Sequence, residues 1–262
     1  MTEQATADRI AKAFVAARRA REGFADYPGA MPETLEDAYA IQAKAIALYD
    51  APIAGWKVGR VPDPLVARYG ANRLAGPIFA DSVVWAQAGG PAEMSIFRNG
   101  FGAAEAEYLV RLGALPSDFD RPWRNADILP YVAEMRVGIE IASSPFAGIN
   151  AHGPAVTISD FGNNNGLLIG YGISSEEDFL NWPVSLTVDG AVVGTGTAGG
   201  MLDGPIGAVR FLFERAAQGL PLAEGQWIST GAVTGVHPVR PGAMVAAAFG
   251  AGLRVACTIG IA

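Results

Sequence analysis

The chain has 262 residues, 50% of them hydrophobic, a formal charge of -7 and one cysteine. That length supports a substantial buried core as one large domain or two modest ones. The acidic balance, with no Lys/Arg stripe carrying interleaved aromatics, argues against nucleic acid or an anionic membrane as a partner.

The first fifty residues read as helical. In "MTEQATADRIAKAFVAARRAREGF" Ile10, Phe14 and Ala17 recur on one face, and Thr34 caps a second apolar stripe in "PETLEDAYAIQAKAIALY". The opening stretch carries acidic residues and no uninterrupted apolar run, unlike a secretory signal, and no later stretch reaches transmembrane length. The expectation is a cytoplasmic protein.

From "AGWKVG" onward short β-rich runs alternate with Gly, Pro and Asn, and Asp189-Gly190 in "VSLTVDGAVVGTGT" signals a hairpin. One more helix is expected at "DGPIGAVRFLFERAAQGLPL", with Pro205 near its start, Ile206, Val209 and Phe213 on one side and Gly219 at its end. Cys257 in "LRVACTIGIA" reads as a packed strand residue and forms no internal disulfide. The chain divides near residue 50 into a helical segment, 1–50, and a β-rich body, 51–262, expected to form one structural unit of α+β class.

Three carboxylates stand out. "GFGAAEAEYLVRL" reads as a strand, which sends Glu105 and Glu107 to the same face with Cα atoms roughly 6 to 7 Å apart. Glu140 lies inside the apolar strand "VGIEIASS", where a lone carboxylate is costly. Converging carboxylates suit a hard divalent cation such as Mg2+ or Mn2+. A solvated strand face, with Glu140 paired to an arginine, fits the spacing as well, and spacing alone leaves both open.

The segments "GWKVG", "GPIFAD", "EAEYLVRL", "VGIEIASS", "GTGTAGGMLDGPIGAVRFL" and "LAEGQWISTGAVTGVHPVRPG" occur in this order. In this the chain resembles the 2-keto-4-pentenoate hydratases and their sister 4-oxalocrotonate decarboxylases, a branch of the fumarylacetoacetate hydrolase superfamily. The resemblance runs from about residue 33 to the C-terminus and includes "TLEDAYAIQ". It implies a mixed β-roll with flanking helices, a Mg2+ or Mn2+ ion held by Glu105, Glu107 and Glu140, and a homo-oligomer, in some pathways associated with the sister enzyme.

The same resemblance places Lys57 at the active-site lysine, where burial lowers its pKa toward an acid/base range unless a carboxylate or substrate pairs with it; a structural salt bridge to one of the glutamates is the alternative. Asp81 falls at a position that orients Lys57 or substrate, or else caps a turn. Ser229, Thr230 and Gly231 match a turn that receives the substrate carboxylate, and His237 lies next to it. The implied chemistry is metal-assisted enol/keto conversion of a 2-oxo acid. Hydration of a short 2-hydroxy-2,4-dienoate to a 4-hydroxy-2-oxo acid, in aromatic-compound degradation, is the favoured reaction. Decarboxylation of 2-oxo-3-hexenedioate is the alternative.

Departures bear on the substrate. Relatives commonly carry Ser-Arg four and five residues after the third glutamate, where this chain has Ser144-Pro145. Asn163, Asn164 and Asn165 replace a "DNAS"-like stretch. Arg60, Arg68, Arg73 and Arg98, expected in loops, are candidates for a second anion-binding group. A fumarylacetoacetase-type C–C hydrolase requires a histidine base, for which only His152 and His237 are available. A catalytically silent partner subunit is the remaining reading.

Overall fold

A computed structural model of the protein describes residues 3–174, 178–250 and 252–262. Two helices come first, α1 (Glu3–Ala20) and α2 (Leu35–Tyr49). Thr34 caps α2 by accepting a hydrogen bond from the Asp37 amide at 3.1 Å, which satisfies one of the donors a helix start leaves open. Ile10 and Phe14 of α1 pack with Ile41 and Ala45 of α2 against Phe79, Phe146 and Phe161.

The next elements are β1 (Ile53–Arg60), α3 (Asp63–Tyr69), β2 (Arg73–Phe79), β3 (Val83–Trp85), β4 (Ala92–Ile96) and β5 (Phe101–Leu112). They are followed by α4 (Asn125–Ile128), β6 (Val132–Ser144), α5 (Pro154–Ser159), β7 (Asn164–Ile173), β8 (Val184–Val188) and β9 (Ala191–Gly196). The chain closes with α6 (Gly204–Ala216), β10 (Trp227–Ser229), β11 (His237–Pro238), β12 (Met244–Phe249) and β13 (Leu253–Ile261). Short α3 and α5, absent from the sequence expectation, each have a proline in the first turn, Pro64 and Pro154, where its missing N–H costs nothing.

Among the described residues the strands form two mixed sheets. One runs β2-β1-β10-β5-β6-β7-β3, with β11 also paired to β5; the other runs β4-β13-β12-β8-β9. The β8–β9 hairpin turns at Asp189 and Gly190, whose φ of 51° and 82° give the left-handed pair that matches strand twist. No described helix is long and apolar enough to cross a membrane.

Period-two alternation divides the faces of the central strands. Ala104, Ala106 and Tyr108 of β5, with Ile139 and Ile141 of β6, pack on Val184, Val245, Phe249 and Cys257 of the second sheet. Burial there pushes the Cys257 thiol up to about 12, consistent with a packing residue. Trp56, Val58 and Ile228 meet Val209 and Phe213 of α6 in another cluster. The alternate residues, Lys57, Glu105, Glu107 and Glu140, are thereby excluded from both apolar layers. The result is the expected α+β architecture, with flanking helices and a helical N-terminal part.

Gly76 of β2 approaches the segment Phe161–Asn163 so closely that a Cβ would lie 2.0 Å from the Phe161 carbonyl oxygen. Gly76→Ala is expected to force the two backbones apart at a cost of about 1–3 kcal/mol or more. The measurement is thermal denaturation, where an unchanged Tm would contradict this packing.

Candidate metal centre

Antiparallel pairing of β5 with β6 sets Glu105 directly opposite Glu140, and Glu107 opposite Gly138. Glu105 is 4% exposed and the other two are fully buried. One carboxylate oxygen from each of the three lies within 4.8 Å of the others. Lys57 reaches them from β1, two strands from β5 through β10, where it pairs in register with Ser229. Its ammonium stands 3.4 Å from Glu140 Oε2 and donates to Asn163 Oδ1 at 3.1 Å. Asn164 Nδ2 donates to Glu140 Oε1 at 2.8 Å. Glu107 Oε2 accepts from the Ser229 hydroxyl and, at 3.0 Å, from the Gly231 amide.

Those contacts leave Glu107 Oε1 and Glu140 Oε2 buried without a hydrogen bond. Burial raises the Glu105 carboxyl, Lys57 opposes this, and repulsion from Glu140 adds to it, leaving the group at about 7. Glu107 is held well above the ordinary carboxylate range by burial, Glu140 and Glu105. For Lys57 burial acts downward, but the three carboxylates, Glu140 foremost, outweigh it and push the ammonium up to about 12. In the metal-free chain Lys57 is thus the paired case, its salt bridge to Glu140 and the other two carboxylates outweighing burial. When ionised, three carboxylates facing one ammonium leave two negative charges over, the charge of a divalent cation. The oxygen-only donor set, with two buried oxygens free of hydrogen bonds, therefore fits Mg2+ or Mn2+.

The centre opens on a cavity of about 510 Å³ through Glu105 and Lys57. Arg60, Arg73, Asn163, Thr230 and Gly231 also line it, together with apolar Met201, Leu202, Val233 and Val236. Arg60 and Arg73 are strand residues, directly opposite one another in the β1–β2 register, and not loop residues as expected. Arg68 and Arg98 are exposed and do not line the cavity.

Other expected site residues are placed differently. Asp81 is exposed on the turn between β2 and β3 and is not part of the cavity wall; Lys57 is oriented by Asn163 and Glu140 instead. His237 is likewise not part of the wall. Its Nε2 lies 2.8 Å from the Thr234 carbonyl, and its ring occupies the space over Gly194 of β9, where a Cβ would lie 2.3 Å from Nε2. His152 is exposed and stacks on Phe146. The turn at Ser229–Gly231 does receive a carboxylate, but the chain's own: Ser229 and Gly231 hold Glu107, while the Thr230 hydroxyl donates to the Tyr108 carbonyl at 2.7 Å.

Asn163 and Asn164 were not assigned a role from sequence, although three consecutive asparagines after Gly162 signal a left-handed turn, and φ is positive from Phe161 to Asn163. Arg18 was also missed. It follows Phe14 by one helical turn on the buried stripe of α1 and reaches the Ser143 carbonyl at 3.4 Å, beside the place where Ser144-Pro145 lacks a basic residue. An arginine on an apolar stripe was the available signal.

No protein-family model matches the chain, and no curated protein matches its sequence. Solved structures do. The 4-oxalocrotonate decarboxylase from Pseudomonas putida G7, complexed with magnesium and adipate, superposes with a TM-score of 0.80 at 20% identity, over 99% of this chain and 98% of that one. The fumarylpyruvate hydrolase from Pseudomonas aeruginosa, in complex with Mn2+ and pyruvate, gives 0.57 at 16% identity, over 81% and 91%. The 2-hydroxyhepta-2,4-diene-1,7-dioate isomerase from Mycobacterium marinum gives 0.57 at 18% identity, over 80% and 76%. At these identities the likeness establishes the fold, which this chain shares with those structures.

Cation binding requires deprotonated carboxylates. Mn2+ affinity measured by calorimetry is expected to rise with pH through about 7, where Glu105 ionises. Because the Glu105 pKa is raised above its ordinary 4.5, its contribution to metal-free stability is full below 4.5 and is lost as pH rises through about 7. The apo Tm should accordingly fall over that window, with Mn2+ restoring it. Glu140→Gln is expected to abolish Mn2+ binding, and retained binding would exclude the centre.

Proposed function

We propose that the protein is a divalent-metal-dependent decarboxylase acting on an unsaturated 2-oxo dicarboxylic acid of the 4-oxalocrotonate type. The observation that carries this reading is the pair Arg60 and Arg73, which line the same cavity as Glu105 and Lys57. A second carboxylate on the substrate needs a cationic group, and a guanidinium supplies donors in the matching geometry. Arg73 uses one nitrogen on Asp203 Oδ1, so most of its five N–H donors stay free of that contact. The magnesium-and-adipate complex of the similar decarboxylase holds a dicarboxylic acid, which points the same way.

In this reading Glu105, Glu107 and Glu140 hold Mg2+ or Mn2+. When bound, the cation supplies Lewis-acid stabilisation of the negative charge that develops on the 2-oxo oxygen. Thr230 and Gly231 line the wall where the 2-oxo acid end is received, and Arg60 and Arg73 orient the far carboxylate. The bond to that carboxylate breaks, its electron pair moves through the conjugated chain to the 2-oxo oxygen, and CO2 departs. Lys57, an ammonium in this charge environment, supports the dienolate and gives its proton to the oxygen, regaining one from solvent. Apolar Met201, Leu202, Val233 and Val236 shield the carbon chain from water.

Those same apolar side chains favour a second reading, hydration of a short 2-hydroxy-2,4-dienoate whose chain ends in carbon. A C–C hydrolase gains no support, since neither histidine lines the cavity. The intact carboxylates and Lys57 likewise speak against a silent subunit.

Incubation of the Mg2+ form with 2-oxohex-3-enedioate is expected to release CO2. Hydration of 2-hydroxypenta-2,4-dienoate without CO2 release would replace this reading by the second. Arg73→Leu is expected to raise KM for the diacid by about tenfold or more, from loss of a charged hydrogen bond. Lys57→Met is expected to lower kcat by about 10²–10⁴-fold with Mn2+ binding retained; near-normal kcat would remove Lys57 from the reaction.

A further inference from the structure

Arg18 is 8% exposed, and each of its three guanidinium nitrogens makes a hydrogen bond. Nε donates to Asp160 Oδ1 at 2.6 Å and Nη2 to Asp160 Oδ2 at 2.9 Å, a two-pronged contact with a carboxylate that is itself fully buried. Nη1 donates to the Asn164 carbonyl at 3.0 Å. The group also lies over the rings of Phe97 and Phe161, at 5.2 and 4.9 Å from their centroids. Arg18 does not line the cavity, so it has no direct part in chemistry there.

Besides its contacts with Ser143 and Phe97, Arg18 brackets one short segment. Asp160 and Asn164 flank Phe161, Gly162 and Asn163, which have φ of 56°, 63° and 58°. Glycine takes that conformation freely, but a bulky phenylalanine does so only when its surroundings impose it. The left-handed turn delivers two amides to the carboxylate site: Asn163 meets the Lys57 ammonium and Asn164 meets Glu140. An ion pair serving α1 attachment alone has no need to span both ends of a strained turn.

We propose that Arg18 is a positioning residue of the carboxylate site. Clamped to Asp160 and the Asn164 carbonyl, it holds the turn that sets Asn163 on Lys57 and Asn164 on Glu140, and so makes the N-terminal helix part of the site. This role rests on the three glutamates as cation ligands and is independent of which 2-oxo acid is the substrate.

The test is Mn2+ calorimetry on the full chain. Arg18→Met combined with Asp160→Asn removes the clamp without leaving a buried charge uncompensated. Arg18→Lys keeps the charge but lacks the fork, and serves where the paired change does not fold. Asn164→Ala removes the amide through which the clamp acts on Glu140. Each folded variant is expected to raise the Mn2+ Kd, by about tenfold for the paired change and for Asn164→Ala, the usual scale for a group that orients a metal ligand. Adding either Arg18 change to Asn164→Ala should raise it by less than the product of the separate losses, because the Asn164 contact with Glu140 is common to both. Losses that multiply, or an unchanged Kd in folded Arg18 variants, overturn the role. A wild-type chain that binds no Mn2+ overturns the metal centre and this role together, whereas normal wild-type binding with unaffected variants overturns the role alone.

Discussion

The burial of three carboxylates beside a single ammonium constrains everything around it. Like charges directly opposite on paired strands destabilise a sheet, and Glu105 and Glu140 stand in that relation. The surroundings respond with neutral donors. A hydroxyl and a backbone amide serve Glu107, and a side-chain amide serves Glu140. Each stabilises negative charge without cancelling it, so the surplus is preserved. Cationic groups in the same places would satisfy the metal-free chain and leave nothing for a divalent ion to neutralise.

Holding that surplus in place requires rigid support, and the glycines beside Lys57 are part of it. A Cβ at Gly162 would lie 3.1 Å from Lys57 Cδ, so the aliphatic stem of the lysine runs against bare backbone. Behind the turn, Gln42 of α2 donates to the Ala75 and Ile158 carbonyls at 3.0 and 2.9 Å, tying β2 to α5. The N-terminal helices therefore contribute buried polar contacts as well as the apolar layer of Ile10, Phe14 and Ile41. Buried polar groups that are fully partnered specify one arrangement, where apolar packing alone tolerates several.

What the sequence revealed and what it concealed divide along a physical line. Glu105 and Glu107 were legible because a period of two is local, and Glu140 because a charge in an apolar strand demands a partner. Their convergence was not legible, since it depends on the β5–β6 register across a long intervening connection. The direction of the Lys57 pKa stayed open because burial is legible from Trp56 and Val58, whereas the convergence of three carboxylates on the ammonium is not. Asp81 and His237 sit in segments that match a family pattern, yet a pattern does not say which way a side chain points, and the Thr234 carbonyl claims the His237 ring. Arg18 was hidden for the same reason as the register: its partner Asp160 lies 142 residues away.

The two ends of the cavity differ in how their charges are balanced, and the difference suits a leaving carboxylate. At the glutamate end the three carboxylates, once ionised, outnumber the single ammonium by two charges, so deprotonation and cation binding favour one another. At the other end, Arg60 and Arg73 face one another in register, a repulsive pair that Asp63 and Asp203 relieve. Asp203 in turn shares its second oxygen with Arg210, which fixes its position. Under the proposed reaction, a substrate carboxylate arriving at this end would meet arginines already partly neutralised by Asp63 and Asp203, and would be oriented without being deeply stabilised. Strong neutralisation would favour the bound ground state and oppose departure as uncharged CO2. Looser tethering at the end that would lose a group, with a cation at the end that would receive the electrons, is the polarity that the proposed decarboxylation requires.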